Sequence, residues 1–329
     1  MESREGHLTR KQAFVTGGAG FIGSNIVRKL VERGWFVRIL DDLSTGYREN
    51  LEALPKDSLE LVPGDVRDAQ AVLKLSEGCQ AVFHLAASVG NIKSIEQPRF
   101  DAEVNVLGTL SVLEAVKAHR VKLVYSSSAA IFGEVVYVPL DEAHPAEPDS
   151  PYGVTKLAAE KHCLAYARLF DLDIVCLRYF NVYGVNQRYD VYGNVIPIWT
   201  RRLLDGEPLI IYGDGDQTRD FINVEDVAEA NVMAAESQGV RGAFNIGTGA
   251  ALTINQLADA FRKVGGQTPH FENRPPRKGE VKHSQAKVDR ARETFGFRAR
   301  VAIEPGLVDY VAWIRDGMPS RVPATGGRS

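Results

Sequence analysis

One stretch constrains this chain more than any other. Ala13-Phe14-Val15 runs into Thr16-Gly17-Gly18-Ala19-Gly20-Phe21-Ile22-Gly23, and a helical pattern follows to Arg33 with Ile22, Ile26, Val27 and Leu30 on one face. Gly18, Gly20 and Gly23 satisfy G-x-G-x-x-G, and Gly17, Gly20 and Gly23 satisfy the wider G-x-x-G-x-x-G. Residues without side chains permit a tight turn, let backbone N–H groups approach a pyrophosphate, and let the helix pack on the strand. Glycine-rich turns are common, so the inference rests on the strand before the loop and the helix after it.

The rest of the first half continues that unit. Phe36–Leu40, Leu59–Val62, Ala81–Leu85, Val121–Tyr125 and Asp173–Leu177 read as strands between helical patterns. Continuous apolar strands alternating with helices indicate a parallel sheet covered on both faces. After about Tyr179, Gly184, Gly193, Pro197, Gly206, Pro208, Gly213 and Gly215 break the chain into short elements. Val224–Ala235, as a helix, and Ala243–Ile246, as a strand, return to the sheet pattern. The expected architecture is α/β: a Rossmann-type doubly wound parallel sheet of about seven strands with a smaller mixed α/β lobe. Residues 11–178 with 222–247 form the first lobe, 179–221 with 248–317 the second, and 1–10 and 318–329 are tails.

The second strand ends in Leu40-Asp41-Asp42. An acidic residue about 20 positions beyond the glycine loop binds the adenosine ribose hydroxyls. A carboxylate there repels a 2′-phosphate, which selects NAD over NADP. Asp65, in Gly64-Asp65-Val66, ends the third strand, where it either meets the adenine or simply forms a turn.

Ser150-Pro151-Tyr152-Gly153-Val154-Thr155-Lys156 supplies acid–base equipment. Ser150 is a good N-cap and Pro151 a good first helical residue. Tyr152 and Lys156 then share one helix face at i and i+4. A tyrosine titrates near pH 10, and lowering it by about three units takes roughly 4 kcal/mol. A neighbouring ammonium supplies part of this, and an oxidised nicotinamide supplies more. The fifth strand delivers Ser126-Ser127-Ser128 to the carboxyl edge of the sheet, where sites in such folds lie. Ser128 is the candidate to share a substrate proton with Tyr152; Ser126 and Ser127 read as structural hydrogen-bonders.

Composition removes other classes. Three cysteines, Cys79, Cys163 and Cys176, form no disulfide framework and no C-x-x-C site, which fits a reducing cytoplasm. The net charge of −3, with both signs mixed, gives no reason to expect nucleic acid. No apolar run is long enough to span a membrane. His84 and His162 have no metal-ligand spacing, so no metal is expected.

With these residues together, nearly the whole chain, about Gln12 to Arg315, resembles the extended short-chain dehydrogenase/reductase family, in particular its nucleotide-sugar 4-epimerases. The matching segments include Thr16–Gly23, Gly64-Asp65-Val66, His84-Leu85-Ala86-Ala87, Asn105–Thr109, Ser126–Gly133, Tyr152–Lys156, Leu177–Asn181 and Gln217–Phe221. The resemblance implies tightly held NAD that is reduced and reoxidised within one turnover. It implies cofactor contacts from Gly17, Gly20, Phe21, Ile22, Gly23, Asp41, Asp65, Val66, Leu85, Ala86, Ala87, Asn105, Ser126, Tyr152, Lys156 and Tyr179. Tyr152 takes the sugar 4-hydroxyl proton, and Lys156 holds the nicotinamide ribose and depresses the Tyr152 pKa. The UDP-sugar is implied to meet Ser128, Tyr152, Asn181, Asn194, Val195, Arg219, Arg277 and Ser284.

Related dehydratases and decarboxylases carry acidic residues just after the active hydroxyl; here Ala129 and Ala130 stand there, which points to epimerisation without elimination. Within Gly279-Glu280-Val281-Lys282-His283-Ser284, the alignment puts Ser284 where the family has a gate beside the sugar substituents. A serine leaves room for an N-acetyl group, so UDP-GlcNAc/UDP-GalNAc is the expected pair. UDP-glucose/UDP-galactose, UDP-glucuronate and a non-catalytic NAD-sensing scaffold are the alternatives. The segment departs from the family at Lys287, where an aspartate is common, and Val89 stands where a lysine is usual. Val104, Leu107, Leu110, Leu113 and Val116 drift round their helix, apolar on more than one side, which together with the resemblance suggests a homodimer.

Overall fold

The structure is a computed structural model that describes residues 10–189, 194–264, 268–277 and 281–317. The expected tails at 1–9 and 318–329, Gly193, and Gly279 and Glu280 of the gate segment lie outside the described residues. The strands in chain order are β1 (Gln12–Thr16), β2 (Phe36–Asp41), β3 (Leu59–Pro63), β4 (Ala81–His84), β5 (Lys122–Ser128), β6 (Ile174–Tyr179), β7 (Asn181–Tyr183), β8 (Leu209–Tyr212), β9 (Thr218–Arg219), β10 (Phe221–Asn223), β11 (Gly242–Ile246), β12 (Leu252–Thr253) and β13 (Phe271–Arg274). The helices are α1 (Phe21–Glu32), α2 (Ala69–Ser76), α3 (Asn91–Glu96), α4 (Pro98–Ala102), α5 (Gly108–His119), α6 (Pro151–Leu169), α7 (Val195–Leu204), α8 (Val224–Glu236), α9 (Ile254–Val264), α10 (Asp289–Phe295) and α11 (Ile303–Arg315).

Seven strands form one sheet in the order β11-β6-β5-β4-β1-β2-β3, with every neighbouring pair parallel. All six residues of β6 are buried, as befits a strand covered on both faces. One face packs against Ile26, Val27 and Leu30 of α1 and Val227 and Ala228 of α8. The other packs against Val72 of α2, Val112, Leu113 and Val116 of α5, and Ala159 and Cys163 of α6. Each such buried aliphatic side chain is worth about 2 kcal/mol against exposure. Strand order reverses between β1 and β4, which opens a crevice at their carboxyl ends. Thr16 lies opposite both Leu40 and His84, so the glycine loop, Asp41 and the segment after β4 leave the sheet side by side.

A further core gathers Trp199 of α7, Phe261 of α9, Phe271 of β13 and Tyr310 of α11. The Trp199 ring meets Phe261 and Phe271 edge-on at 5.5 and 5.6 Å. Asp220, fully buried between β9 and β10, accepts the N–H groups of Thr248, Gly249 and Ala286 at 2.8–3.2 Å and the Thr248 hydroxyl at 2.7 Å. One carboxylate thus fastens three segments of the second half of the chain.

The helix expected through Val104–Val116 is interrupted: Glu103–Leu107 form a π turn between α4 and α5. Among the described residues no helix is long and apolar enough to cross a membrane.

Candidate active site

The glycine loop is built so that side chains cannot be added. Gly17 adopts a φ of +69°, and a Cβ there would lie 2.7 Å from the Ala86 nitrogen. A Cβ on Gly23 would lie 2.1 Å from the Gly17 carbonyl oxygen. Helix α1 starts at Gly20 without a side-chain cap and without an acidic residue in its first turn, so Phe21, Ile22 and Gly23 offer their N–H groups to an anion. Asp41, at the end of β2, is buried; its two oxygens accept the Ala19 and Leu43 N–H groups, each at 2.9 Å. Burial pushes its carboxyl up while those N–H groups pull it down. A glycine cradle, an uncapped helix start and a fixed carboxylate fit the pyrophosphate and ribose of NAD. Asp65 is turned instead to Arg67, whose Nε reaches both carboxylate oxygens at 2.9 and 3.0 Å. Val66 is buried beside Gly108.

The segment after β4 is clamped to β1. The Leu85 and Ala86 N–H groups both reach the Thr16 hydroxyl oxygen at 3.2 Å. Because that oxygen already accepts, its own proton goes to His84 Nδ1 at 2.7 Å. His84 Nε2–H then donates to Thr109 at 2.9 Å, and the Thr109 hydroxyl donates to the Asn105 carbonyl at 2.6 Å. This chain needs a neutral imidazole. Burial, with the Lys156 charge, pulls His84 down to about 3. The Asn105 amide in turn grips Ser88, accepting its N–H at 2.8 Å and donating to its carbonyl at 3.0 Å.

Ser150 caps α6 by accepting the Gly153 N–H at 3.2 Å, and Pro151 occupies the first turn. Tyr152 and Lys156 therefore project one turn apart toward the end of β5. Ser128 there accepts the Ala130 N–H at 3.1 Å, and its hydroxyl lies close enough to the Tyr152 phenol to lower it. The Lys156 ammonium donates to the Ser126 carbonyl and lies 4.6 Å over the Tyr125 ring. Ser126 and Ser127 turn their hydroxyls inward. Ser126 bonds Tyr179, whose own hydroxyl donates to Asn231 of α8, both at 2.9 Å. Ser127 donates to Glu160 at 2.6 Å.

The expected lowering of the Tyr152 phenol combines Lys156 with an oxidised nicotinamide; the chain by itself gives the other direction. Within the chain burial raises the Tyr152 hydroxyl to about 12, and the neighbouring Ser128 hydroxyl offsets only part of the rise. Burial also lowers Lys156 to about 8. Lys156 is buried and Tyr152 half-buried, and desolvation of each charged form outweighs what the neighbours return.

The residues expected to meet the sugar nucleotide lie farther along. The Asn181 N–H donates to the Asp220 carbonyl at 3.0 Å. Asn194 and Val195 start α7. Arg219 lies on β9, its Nη1 donating to the Thr218 carbonyl at 2.8 Å. Ser284 pairs by its N–H with Thr218 at 3.1 Å, so Ser284 is beside Arg219. Arg277 stacks 4.0 Å over the Tyr212 ring and lowers that phenol.

A family model described as "NAD dependent epimerase/dehydratase family" matches residues 13–247. The chain belongs to this family. It is similar, at 39% identity over 92% of its length and 98% of the relative's, to a putative UDP-glucose 4-epimerase of Methanocaldococcus jannaschii. The solved UDP-N-acetylglucosamine 4-epimerase of Methanobrevibacter ruminantium, in complex with UDP-N-acetylmuramic acid, superposes with a TM-score of 0.90 at 35% identity, covering 94% of this chain and 100% of that one. The Thermus thermophilus UDP-glucose 4-epimerase in complex with NAD gives 0.82 at 37% identity, covering 93% and 100%. The chain is thus an NAD-dependent epimerase, an isomerase of the nucleotide-sugar type. Residues of this epimerase that sequence reasoning passed over are Thr16, Thr109, Asp101, Thr155, Asn231 and Tyr212. Thr16, Thr109 and Thr155 lie within the motif segments without a role of their own there, while Asp101, Asn231 and Tyr212 lie outside them and meet partners far off in sequence.

Proposed function

We propose that this epimerase interconverts UDP-GlcNAc and UDP-GalNAc at C4, with Tyr152 as the acid–base group. The observation that carries the acid–base assignment is the Ser128 hydroxyl beside the Tyr152 phenol, with Lys156 one turn away and only Ala129 and Ala130 following the serine. Bound NAD supplies a hydride acceptor and donor for C4, and a positive charge that favours the Tyr152 phenolate. Gly17, Gly20, Gly23, Phe21, Ile22, Asp41, Leu85, Ala86, Ala87 and Lys156 hold it in this reading. Tyr152 takes the 4-hydroxyl proton and later returns it to the same oxygen, once C4 has turned its other face to the cofactor. Ser128 keeps that oxygen within reach throughout. Lys156 stays charged and holds the developing phenolate. Ala129 and Ala130 have no proton to move, so a neighbouring hydroxyl is not eliminated.

The sugar nucleotide lies between the lobe of 11–178 with 222–247 and the lobe of 179–221 with 248–317. Asn181, Asn194, Val195, Arg219 and Arg277 bind its uridine and diphosphate. The N-acetyl preference rests on Ser284, a small side chain beside the strand of Arg219. A second reading, UDP-glucose and UDP-galactose, is favoured by the names of several relatives. The enzyme works as a homodimer in a reducing cytoplasm. Ile95 of α3, Leu107 of the π turn and Val154 of α6 are 51–64% exposed on adjoining elements, and all three cysteines are free.

Incubation of the purified chain with UDP-GlcNAc, without added reductant, tests the proposal by NMR detection of UDP-GalNAc. No conversion, with NAD demonstrably bound, overturns it. A kcat/KM higher for UDP-glucose than for UDP-GlcNAc selects the second reading.

A further inference from the structure

Behind Tyr152 and Lys156 lies a carboxylate that the reaction itself does not use. Asp101 of α4 is fully buried. Its Oδ2 accepts the Thr155 hydroxyl at 2.5 Å, and its Oδ1, also buried, has no hydrogen-bond partner. Thr155 sits on α6 between Tyr152 and Lys156, and its oxygen also accepts the Asn105 amide at 3.0 Å. Asp101 and Asn105 stand on either side of the start of the π turn, a distortion that gathers at functional sites. Two side chains of one segment thereby converge on a single hydroxyl of the neighbouring helix.

A buried carboxylate without a cation in contact is costly. Among the described residues Asp101 makes no salt bridge, in contrast to Glu160, whose charge is matched by Arg178. We infer that Asp101 is a positioning residue for the Tyr152–Lys156 pair: it holds α6 through Thr155 and supplies the negative potential that keeps the buried ammonium charged. The inference rests on the reading of Tyr152 as the acid–base group.

The groups facing the pair can be named element by element. They are His84 from β4, Tyr125 from β5, Glu160 and Cys163 from α6, Cys176 from β6 and Asp101 from α4. His84 is neutral. Glu160 is tied to Arg178 and Ser127. Asp101 is the carboxylate here whose charge no guanidinium offsets. It raises both the Tyr152 phenol and the Lys156 ammonium. Removing one negative charge disfavours the protonated form of each, so both pKa values must fall together.

The test is the pH profile of kcat for Asp101→Asn in the NAD-loaded enzyme. Asp101→Ser, which leaves room for water, is measured alongside so that one folded neutral variant suffices. Both limbs are expected to move to lower pH by about half a unit or more. The tyrosinate absorbance transition, read as a difference against Tyr152→Phe, is expected to move the same way. Limbs and absorbance that superimpose on the wild type, whatever the loss in kcat, overturn the inference and leave Asp101 a purely structural residue. Should Tyr152→Phe itself retain full turnover, the acid–base reading fails instead, and the two failures are told apart.

Discussion

Glu160 and Arg178 meet in the interior with Nη2 to Oε1 at 2.7 Å and Nε to Oε2 at 3.0 Å. Glu160 lies one turn beyond Lys156 on α6, and Arg178 lies on β6. The pair therefore fixes α6 against the sheet from inside. Glu160→Gln leaves the guanidinium buried with a neutral partner and is expected to cost about 3 kcal/mol. Urea unfolding measures the loss; an unchanged midpoint shows that the pair is dispensable.

Tyr152→Phe removes the hydroxyl proposed to carry the proton and keeps the ring. Turnover is expected to drop about a thousandfold or more, and Ser128→Ala to drop about a hundredfold. NAD content, read by absorbance of the released nucleotide, is expected to stay near wild type in both. Loss of NAD together with activity shows a binding defect in place of a chemical one.

Ser284→Tyr places a ring beside β9. Turnover of UDP-GlcNAc is expected to fall about fiftyfold or more while that of UDP-glucose stays within about threefold. Equal losses on both sugars remove Ser284 from the substrate pocket.

Gly23→Ala puts a methyl where only 2.1 Å separates it from the Gly17 oxygen. The loop must move, at about 1–3 kcal/mol. A lower melting temperature and weaker NAD binding in titration are the expected signs. Wild-type affinity contradicts the glycine cradle.

His84 is held near pKa 3, whereas an unfolded histidine titrates near 6.5. Between these values the unfolded chain binds a proton that the native chain refuses. Its contribution therefore lowers stability as pH falls from 6.5 toward 3, by a few kcal/mol in all. His84→Gln is expected to flatten the fall in unfolding free energy across this window. A slope identical to wild type means that the imidazole is not buried in its neutral form.

The parts of the fold legible in the sequence are those written in local pattern. The strand before Gly17, the amphipathic run to Arg33, the acidic end at Asp41 and the Ser150-Pro151 helix start all depend on neighbours a few residues away. The observed β5 runs on to Ser128, past the expected end at Tyr125, because hydroxyls pair inward with Tyr179 and Glu160 and so behave as interior residues. The π turn at 103–107 was not legible, because its cause is a distant one: Asn105 and Asp101 both reach Thr155, about fifty residues on. The raised phenol of Tyr152 was hidden for the same reason, since desolvation depends on what packs around a residue and not on the lysine four positions away.

The late return of β11 has a consequence for synthesis. Until Gly242–Ile246 emerge, β6 is left as an open edge, apolar but for Arg178, with unpaired backbone groups. A ribosome-bound chain must therefore make most of the intervening segment before its first sheet can close. Fragments that stop short of β11 carry a sticky margin, and truncated versions are expected to need chaperone protection to stay dispersed.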